Sequence, residues 1–260
     1  MKTLIILWTL LLSIMAPYSR AETIVLTLGE YPPLDSKQLP HYGLVPRIVT
    51  EAFGLEGITV EYEFFPWARA YSESKEGQVN GTLQWFHSEK REKDHYYSDV
   101  IMEESNVWFS LKETNFHWDT LESLKGKVVG ARIGFTYTPE FYQAIEDGVF
   151  EAIFLETNLQ NFKMLHSKRI DAFIENLDVG YYGLKQIDDF DKASLVTHHP
   201  KPVVLDTTHL LLSKKHVNSP YYLQKFNRGL QSLKASGRYQ QFIDESRQLN
   251  SVNDDVPRES

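Results

Sequence analysis

Apolar positions change their period twice between residues 23 and 64. Thr23–Leu28 (TIVLTL) is a short apolar run with the character of a buried strand, and it leads into the turn Gly29-Glu30-Tyr31-Pro32-Pro33. Leu44, Ile48, Val49 and Ala52 then recur at helical spacing, and Gly54 closes the helix. Ile58, Val60, Tyr62 and Phe64 alternate with Thr59, Glu61 and Glu63, the period of a half-buried strand. Strand, helix, strand in close succession is a βαβ unit, which implies a parallel sheet with a right-handed crossover. Trp67–Glu76 reads as another helix and Gly81–Trp85 as a third strand.

The pattern restarts at Leu124-Lys125-Gly126-Lys127. Val128–Ile133 is a strand ending at Gly134, and a helix follows from Pro139 to Asp147. Glu151–Leu155 and Ile170–Ile174 read as strands, with helices over Asn158–Ser167 and from Asp178 onward. Two apolar extended pieces, Ser105–Leu111 (SNVWFSL) and Thr208–Ser213 (THLLLS), bracket this second unit. Ser219-Pro220 reads as an N-cap and first-turn pair for a helix carrying Leu223, Phe226, Leu230 and Leu233. Gly237 breaks that helix and a last one follows. The chain therefore reads as α/β, crossing to a second lobe and returning to finish on the first. Lobe 1 is expected at 22–107 plus 212–249 and lobe 2 at 108–211, each a mainly parallel sheet flanked by helices, joined by two extended hinge segments. Open α/β sheets bind ligands beyond the carboxyl ends of their strands, so two facing lobes enclose a cleft.

The first twenty-one residues add an address. Lys2 precedes an apolar run from Leu4 to Ala16, Pro17-Tyr18 breaks it, and Ser19-Arg20-Ala21 places small residues for cleavage before Glu22. A signal peptide over 1–21 is expected, and the polar, aperiodic 250–260 reads as a disordered tail. With 27 basic and 35 acidic residues the net charge is −8, which argues against a general nucleic-acid binder. The absence of Cys excludes thiolate metal sites, cysteine nucleophiles, disulfides and a lipidated N-terminal Cys. A cysteine-free exported chain fits the periplasm. His198-His199 is a poor chelate, because neighbours on a strand point to opposite faces. No nucleophile elbow or phosphate-binding loop is present, so no metal, cofactor or catalytic group is expected.

Seven segments in order then carry a resemblance. They are Tyr31-Pro32-Pro33, Gly43-Leu44-Val45-Pro46, Ser88-Glu89-Lys90-Arg91 with Tyr97-Ser98-Asp99, Leu124–Gly130, Gly134-Phe135-Thr136, Arg169–Phe173, and Leu230–Tyr239. Together they resemble the bacterial extracellular solute-binding proteins of family 3, the type II periplasmic binding proteins of polar amino acid ABC transporters. Pro66-Trp67-Ala68-Arg69-Ala70 is similar to a branch whose ligands are often unassigned. The resemblance implies a monomeric receptor that takes a small carboxylate-bearing solute and hands it to an ABC permease.

It also implies roles for particular residues. Arg91, with Ser88 standing where the family has Thr, matches the clamp on the ligand's carboxylate, and a planar guanidinium suits that task. Taken by itself the run Glu89–Asp94 reads as a solvated helix face. Gly134, Phe135, Thr136 and Tyr137 lie between a strand and a helix, where free N–H groups welcome an anion; the alternative is an ordinary turn capped by Thr136 or Thr138. The family's acid for a ligand ammonium falls on Asn176, which cannot neutralise a cation. Either Glu175 or Asp178 substitutes, or the ligand is not a standard α-amino acid. Tyr31, Trp67, Trp85 and Phe86 are expected at the cleft edge, and Arg69 either faces the cleft or pairs with Glu73. Two other functions share the scaffold: a dehydratase-like enzyme using Glu175 or His87 for proton transfer, and a sensor acting in trans on a membrane kinase.

Overall fold

The computed structural model describes residues 22–133, 135, 137–187 and 190–250. The expected signal peptide, the expected tail beyond residue 250, Gly134 and Thr136 lie outside the described residues. The chain begins with β1 (Glu22–Leu28), α1 (Leu44–Gly54), β2 (Ile58–Phe64), α2 (Trp67–Lys75) and β3 (Gly81–Phe86). Next come α3 (Glu89–Glu92), β4 (His95–Tyr97) and β5 (Met102–Leu111). The second unit is β6 (Val128–Arg132), α4 (Pro139–Glu146), β7 (Glu151–Leu155), α5 (Asn158–His166), β8 (Ala172–Asn176), α6 (Leu177–Lys185), α7 (Phe190–Ser194) and β9 (Val196–His198). It returns through β10 (Val204–Ser213) to α8 (Ser219–Ala235) and α9 (Arg238–Asn250).

The strands share one sheet in the order β2-β1-β3-β10-β5-β8-β6-β7, with β4 also on β10 and β9 also on β5. β1 runs parallel to β2 and β3, and β6 parallel to β7 and β8. The antiparallel pairings all involve the two ten-residue strands β5 and β10. Val204–Thr208 of β10 lies against Met102–Asn106 of β5. Thr208 is also the point where β10 passes onto β3, and Asn106 the point where β5 passes onto β8. Two short antiparallel segments thus carry the chain from one half of the sheet to the other.

Each half follows its periodicity. Ile24, Leu26 and Leu28 share one face of β1 and pack on α1 and α8 through Ile48, Phe53, Phe226 and Leu230, with the Phe53 and Phe226 rings 5.2 Å apart. Burial of each such side chain stabilises by about 1.5–3 kcal/mol. In the second half adjacent residues feed opposite sides of the sheet. Trp108 and Ile174 join Phe141 on one side, and Phe109 and Phe173 join Phe162 on the other. Among the described residues no helix is long and apolar enough to cross a membrane.

Three details differ from the sequence reading. β8 lies two residues later than expected, which puts Glu175 and Asn176 at its carboxyl end. Ser219 is the first residue of α8 rather than its cap, and its hydroxyl donates to the Ser213 carbonyl (2.6 Å). The three-residue strands β4 and β9 were not expected, being too short to display a period.

Candidate ligand site

The carboxyl ends of β1, β3 and β8 and the crossing segment of β5 converge on one buried polar cluster. Tyr31 sits in the turn after β1, which is closed by hydrogen bonds from Tyr31 N to Asp35 O (2.7 Å) and from Asp35 N to Tyr31 O (3.1 Å). Its hydroxyl reaches across to donate to Glu175 Oε1 (3.2 Å), and its ring lies 5.5 Å from that of Phe135. Glu175 Oε1 also accepts the Asn176 N–H (2.9 Å), and Oε2 faces Arg132 Nη1 at 3.3 Å. Arg132 is steadied by Asn158 Oδ1 (2.6 Å) and by the Phe135 ring, 4.7 Å below its guanidinium.

Glu104 joins this network from the crossing. Gln84 Nε2 donates to one of its oxygens and Asn176 Nδ2 to the other (3.1 Å). Asn176 Oδ1 is occupied by the N–H groups of Asp178 (2.9 Å) and Val179 (3.2 Å), so it caps α6. One amide therefore starts a helix and holds a carboxyl on another strand. Asp35, Glu104, Glu175 and Asn176 are all buried. Burial pushes Glu104 up to about 8, partly opposed by the Asn176 hydrogen bond. Burial also raises Glu175, against the lowering effect of Arg132, and lifts Asp35 well above the usual carboxylate range.

A second group lies on the first half. Trp67 meets Trp85 edge-on at 5.5 Å, and Tyr71 meets Trp85 at 5.4 Å. Gly29 makes room for this bank, since a Cβ there would stand 2.4 Å from the Trp67 ring. Trp85 Nε1 donates to Thr82 Oγ1 (2.9 Å). The Arg91 guanidinium lies 4.8 Å over Trp85 and donates to Phe86 O (3.2 Å). Among the described residues no carboxylate pairs with it. Ser88 precedes α3 and contributes its carbonyl, which accepts Arg91 N (2.9 Å).

In the strand-to-helix turn of the second half, Phe135 and Tyr137 are the described members. Thr138 caps α4 by accepting Phe141 N (3.2 Å). Tyr137 turns toward its own half: its ring stacks on Phe141 at 4.8 Å, its hydroxyl accepts Arg132 N (2.7 Å), and its N–H meets Tyr142 Oη (3.3 Å). Phe135 instead packs against the first half. Arg91 makes no hydrogen bond or ring contact with Phe135 or Tyr137. Arg69 pairs with Glu73 (3.0 Å) and Asp178 with Arg247 (3.1 Å), whereas Glu175 makes its hydrogen bonds within the cluster. His198 faces Tyr181 (2.6 Å), and no metal-binding group of His, Asp or Glu occurs among the described residues.

Sequence reasoning missed Asp35, Gln84, Glu104, Arg132 and Asn158. Two signals were present: Arg132 stands at the carboxyl end of a strand, the end beyond which open α/β sheets bind ligands, and Glu104 alternates with exposed Glu103 in a strand that otherwise turns apolar. A surface hollow of about 530 Å³ lined by Leu159, Lys163, His166 and Ile187 shares no residue with the cluster.

The mixed α/β sheet that narrows to two crossing strands is the type II periplasmic binding protein fold, and solved structures agree along nearly the whole chain. The second substrate-binding domain of a putative amino acid ABC transporter from Streptococcus pneumoniae matches with a TM-score of 0.66 and 19% identity, over 86% of this chain and 99% of that one. A histidine kinase sensor domain with similarity to periplasmic binding proteins gives 0.67 and 19%, over 87% and 96%. An ancestral amino acid-binding protein, described as a precursor of cyclohexadienyl dehydratase, gives 0.62 and 18%, over 85% and 94%. No curated protein matches. The model of the bacterial extracellular solute-binding proteins, family 3, matches residues 23–246, and the chain belongs to that family.

Proposed function

We propose that the chain is a periplasmic receptor, exported by a signal peptide over 1–21, that captures a small carboxylate-bearing solute such as an amino acid. Lobe 1 (22–107 and 212–249) and lobe 2 (108–211) close on the solute about the crossing strands, and the closed monomer presents it to an ABC permease. The observation that carries this reading is that Tyr31 from one half meets Glu175 and Phe135 from the other beside the crossing of β5 and β10. Closure is driven only by a ligand that contacts both halves, because a ligand touching one half does not discriminate open from shut. Arg91, backed by Ser88 and lying on Trp85 without an acidic partner among the described residues, is the group proposed to take the carboxylate. Trp67, Trp85 and Tyr31 wall the solute. The turn at 134–137 supplies main-chain donors from the other side; of its members, Gly134 and Thr136 lie outside the described residues, and the Tyr137 N–H is already engaged. Titration calorimetry tests the reading: an amino acid or related acid binds the chain, and Arg91→Ala lowers its affinity at least a hundredfold with the fold intact. Unaltered affinity in Arg91→Ala would remove Arg91 as the clamp.

A second reading, an enzyme on this scaffold, draws on Glu104 and Glu175, two buried carboxyls raised toward neutrality and so suited to proton transfer. Turnover separates the two, since a receptor returns its ligand unchanged.

A further inference from the structure

The helix that carries Arg91 is too short to hold its own shape. α3 has four residues, Glu89–Glu92, and Ser88 precedes it without a side-chain cap. A lone turn fixes several backbone angles for very few hydrogen bonds and is unfavourable in isolation. Its geometry is imposed instead by side chains from outside it. Across the turn, His87 Nε2 donates to Glu92 Oε1 (2.7 Å). The His87 ring rests 5.1 Å from that of Tyr97 on β4, which in turn meets His209 on β10 at 5.5 Å. At the far end of the turn stands Lys214, the residue after β10. Its ammonium donates to the Glu92 carbonyl and its N–H to the Asp94 carbonyl (3.0 Å). A cation at the carboxyl end of a helix answers the free carbonyls there and the negative end of the dipole. The Asp94 carboxylate then takes Lys75 (3.1 Å) and the Tyr71 hydroxyl (3.3 Å), and Tyr71 is the residue whose ring meets Trp85.

We propose that His87, Glu92 and Lys214 are positioning residues, a clasp outside the site that sets the direction of the Arg91 guanidinium and so the affinity for the solute's carboxylate. The assignment rests on the receptor reading and deepens it. A guanidinium takes a carboxylate through two parallel hydrogen bonds only within a narrow range of angles. The tip of Arg91 is tethered by Phe86 O and by the Trp85 face. Phe86 immediately precedes His87, so the carbonyl that holds the tip and the imidazole that holds the turn belong to consecutive residues. Releasing His87 from Glu92 therefore loosens the base and the tip of Arg91 together. Lys214 supplies a link that the local sequence does not. It fastens the turn to the end of β10, one of the two strands that cross between the halves, and so fixes Arg91 relative to the crossing. His87 and Glu92 are each about half exposed, which limits their contact to a factor of a few in affinity.

Calorimetry across the standard L-amino acids, followed by variants with the tightest binder, tests the clasp. Lys214→Met weakens binding about fivefold, and Lys214→Arg, which keeps a cationic donor for the Glu92 carbonyl, brings it back to within about twofold. His87→Ala and Glu92→Ala each weaken binding about threefold, and the double variant no more than either one, because the two share a single contact. Urea midpoints of these variants stay close to that of the unmodified chain. Affinities within about twofold of the unmodified chain in Lys214→Met and His87→Ala, with Arg91→Ala still damaging, overturn the clasp and leave the receptor reading standing. A loss in Lys214→Met that Lys214→Arg does not restore also overturns it. If Lys214→Met does not fold, His87→Ala, Glu92→Ala and their double variant decide by the same limits. Unaltered affinity in Arg91→Ala, or no binding by any of the amino acids, removes the reading beneath the clasp and the clasp with it.

Discussion

The aromatic bank on the first half and the carboxylate cluster at the crossing meet opposite physical demands. Trp67, Trp85 and Arg91 are half-buried and held by ring faces, one indole hydrogen bond and one carbonyl. Their loss exposes little and unpairs little. Glu104, Glu175 and Asn176 are buried and share hydrogen bonds, so removing one strands another. The bank can thus be edited for binding at small cost to the fold, whereas the cluster couples binding to stability.

Proton linkage gives the largest expected effect. The unfolded chain releases the Glu104 proton near 4.5, and the folded chain keeps it to about 8. Between those values the folded state binds more protons, so stability falls as pH rises, by about 1.4 kcal/mol per unit for this group. Glu175 and Asp35, also raised, act in the same direction. Urea denaturation of the ligand-free chain from pH 5 to 8 should show the decline, and Glu104→Gln should flatten it. Asn176→Ala comes next. It removes the cap of α6 and a donor to Glu104, and is expected to cost about 2–4 kcal/mol in the same assay. Tyr31→Phe removes one of the two donors to Glu175 Oε1, which keeps the Asn176 N–H; a loss of about 1 kcal/mol is expected. Arg91→Ala is the smallest, with a stability change below about 1 kcal/mol from the lost π contact. If Arg91→Ala destabilised as much as Asn176→Ala, the bank would be structural and the contrast would fail.

The long elements were legible because their periods were clean. The alternation from Ile58 to Phe64 and the helical spacing of Leu44 to Ala52 reappear as a half-buried strand and an inward helix face. The cluster was not legible, for a reason of geometry. Gln84, Glu104 and Asn176 come from β3, β5 and β8, brought near one another only by the strand order and the handover at Asn106 and Thr208. A single Glu in an alternating strand also reads as a solvent-facing residue until its partner across the sheet is known. Asn176 was noticed as a departure, but its double task as cap and donor follows from contacts that no spacing encodes.

The measurement that tests most directly whether the halves close on a solute uses the absence of native cysteine. Spin labels at Lys37→Cys and Glu140→Cys, both exposed and on opposite halves, report the inter-label distance by pulsed electron resonance. Saturation with the tightest-binding amino acid should collapse a broad, longer distribution into a narrow, shorter one. Identical distributions with and without that ligand would contradict the account.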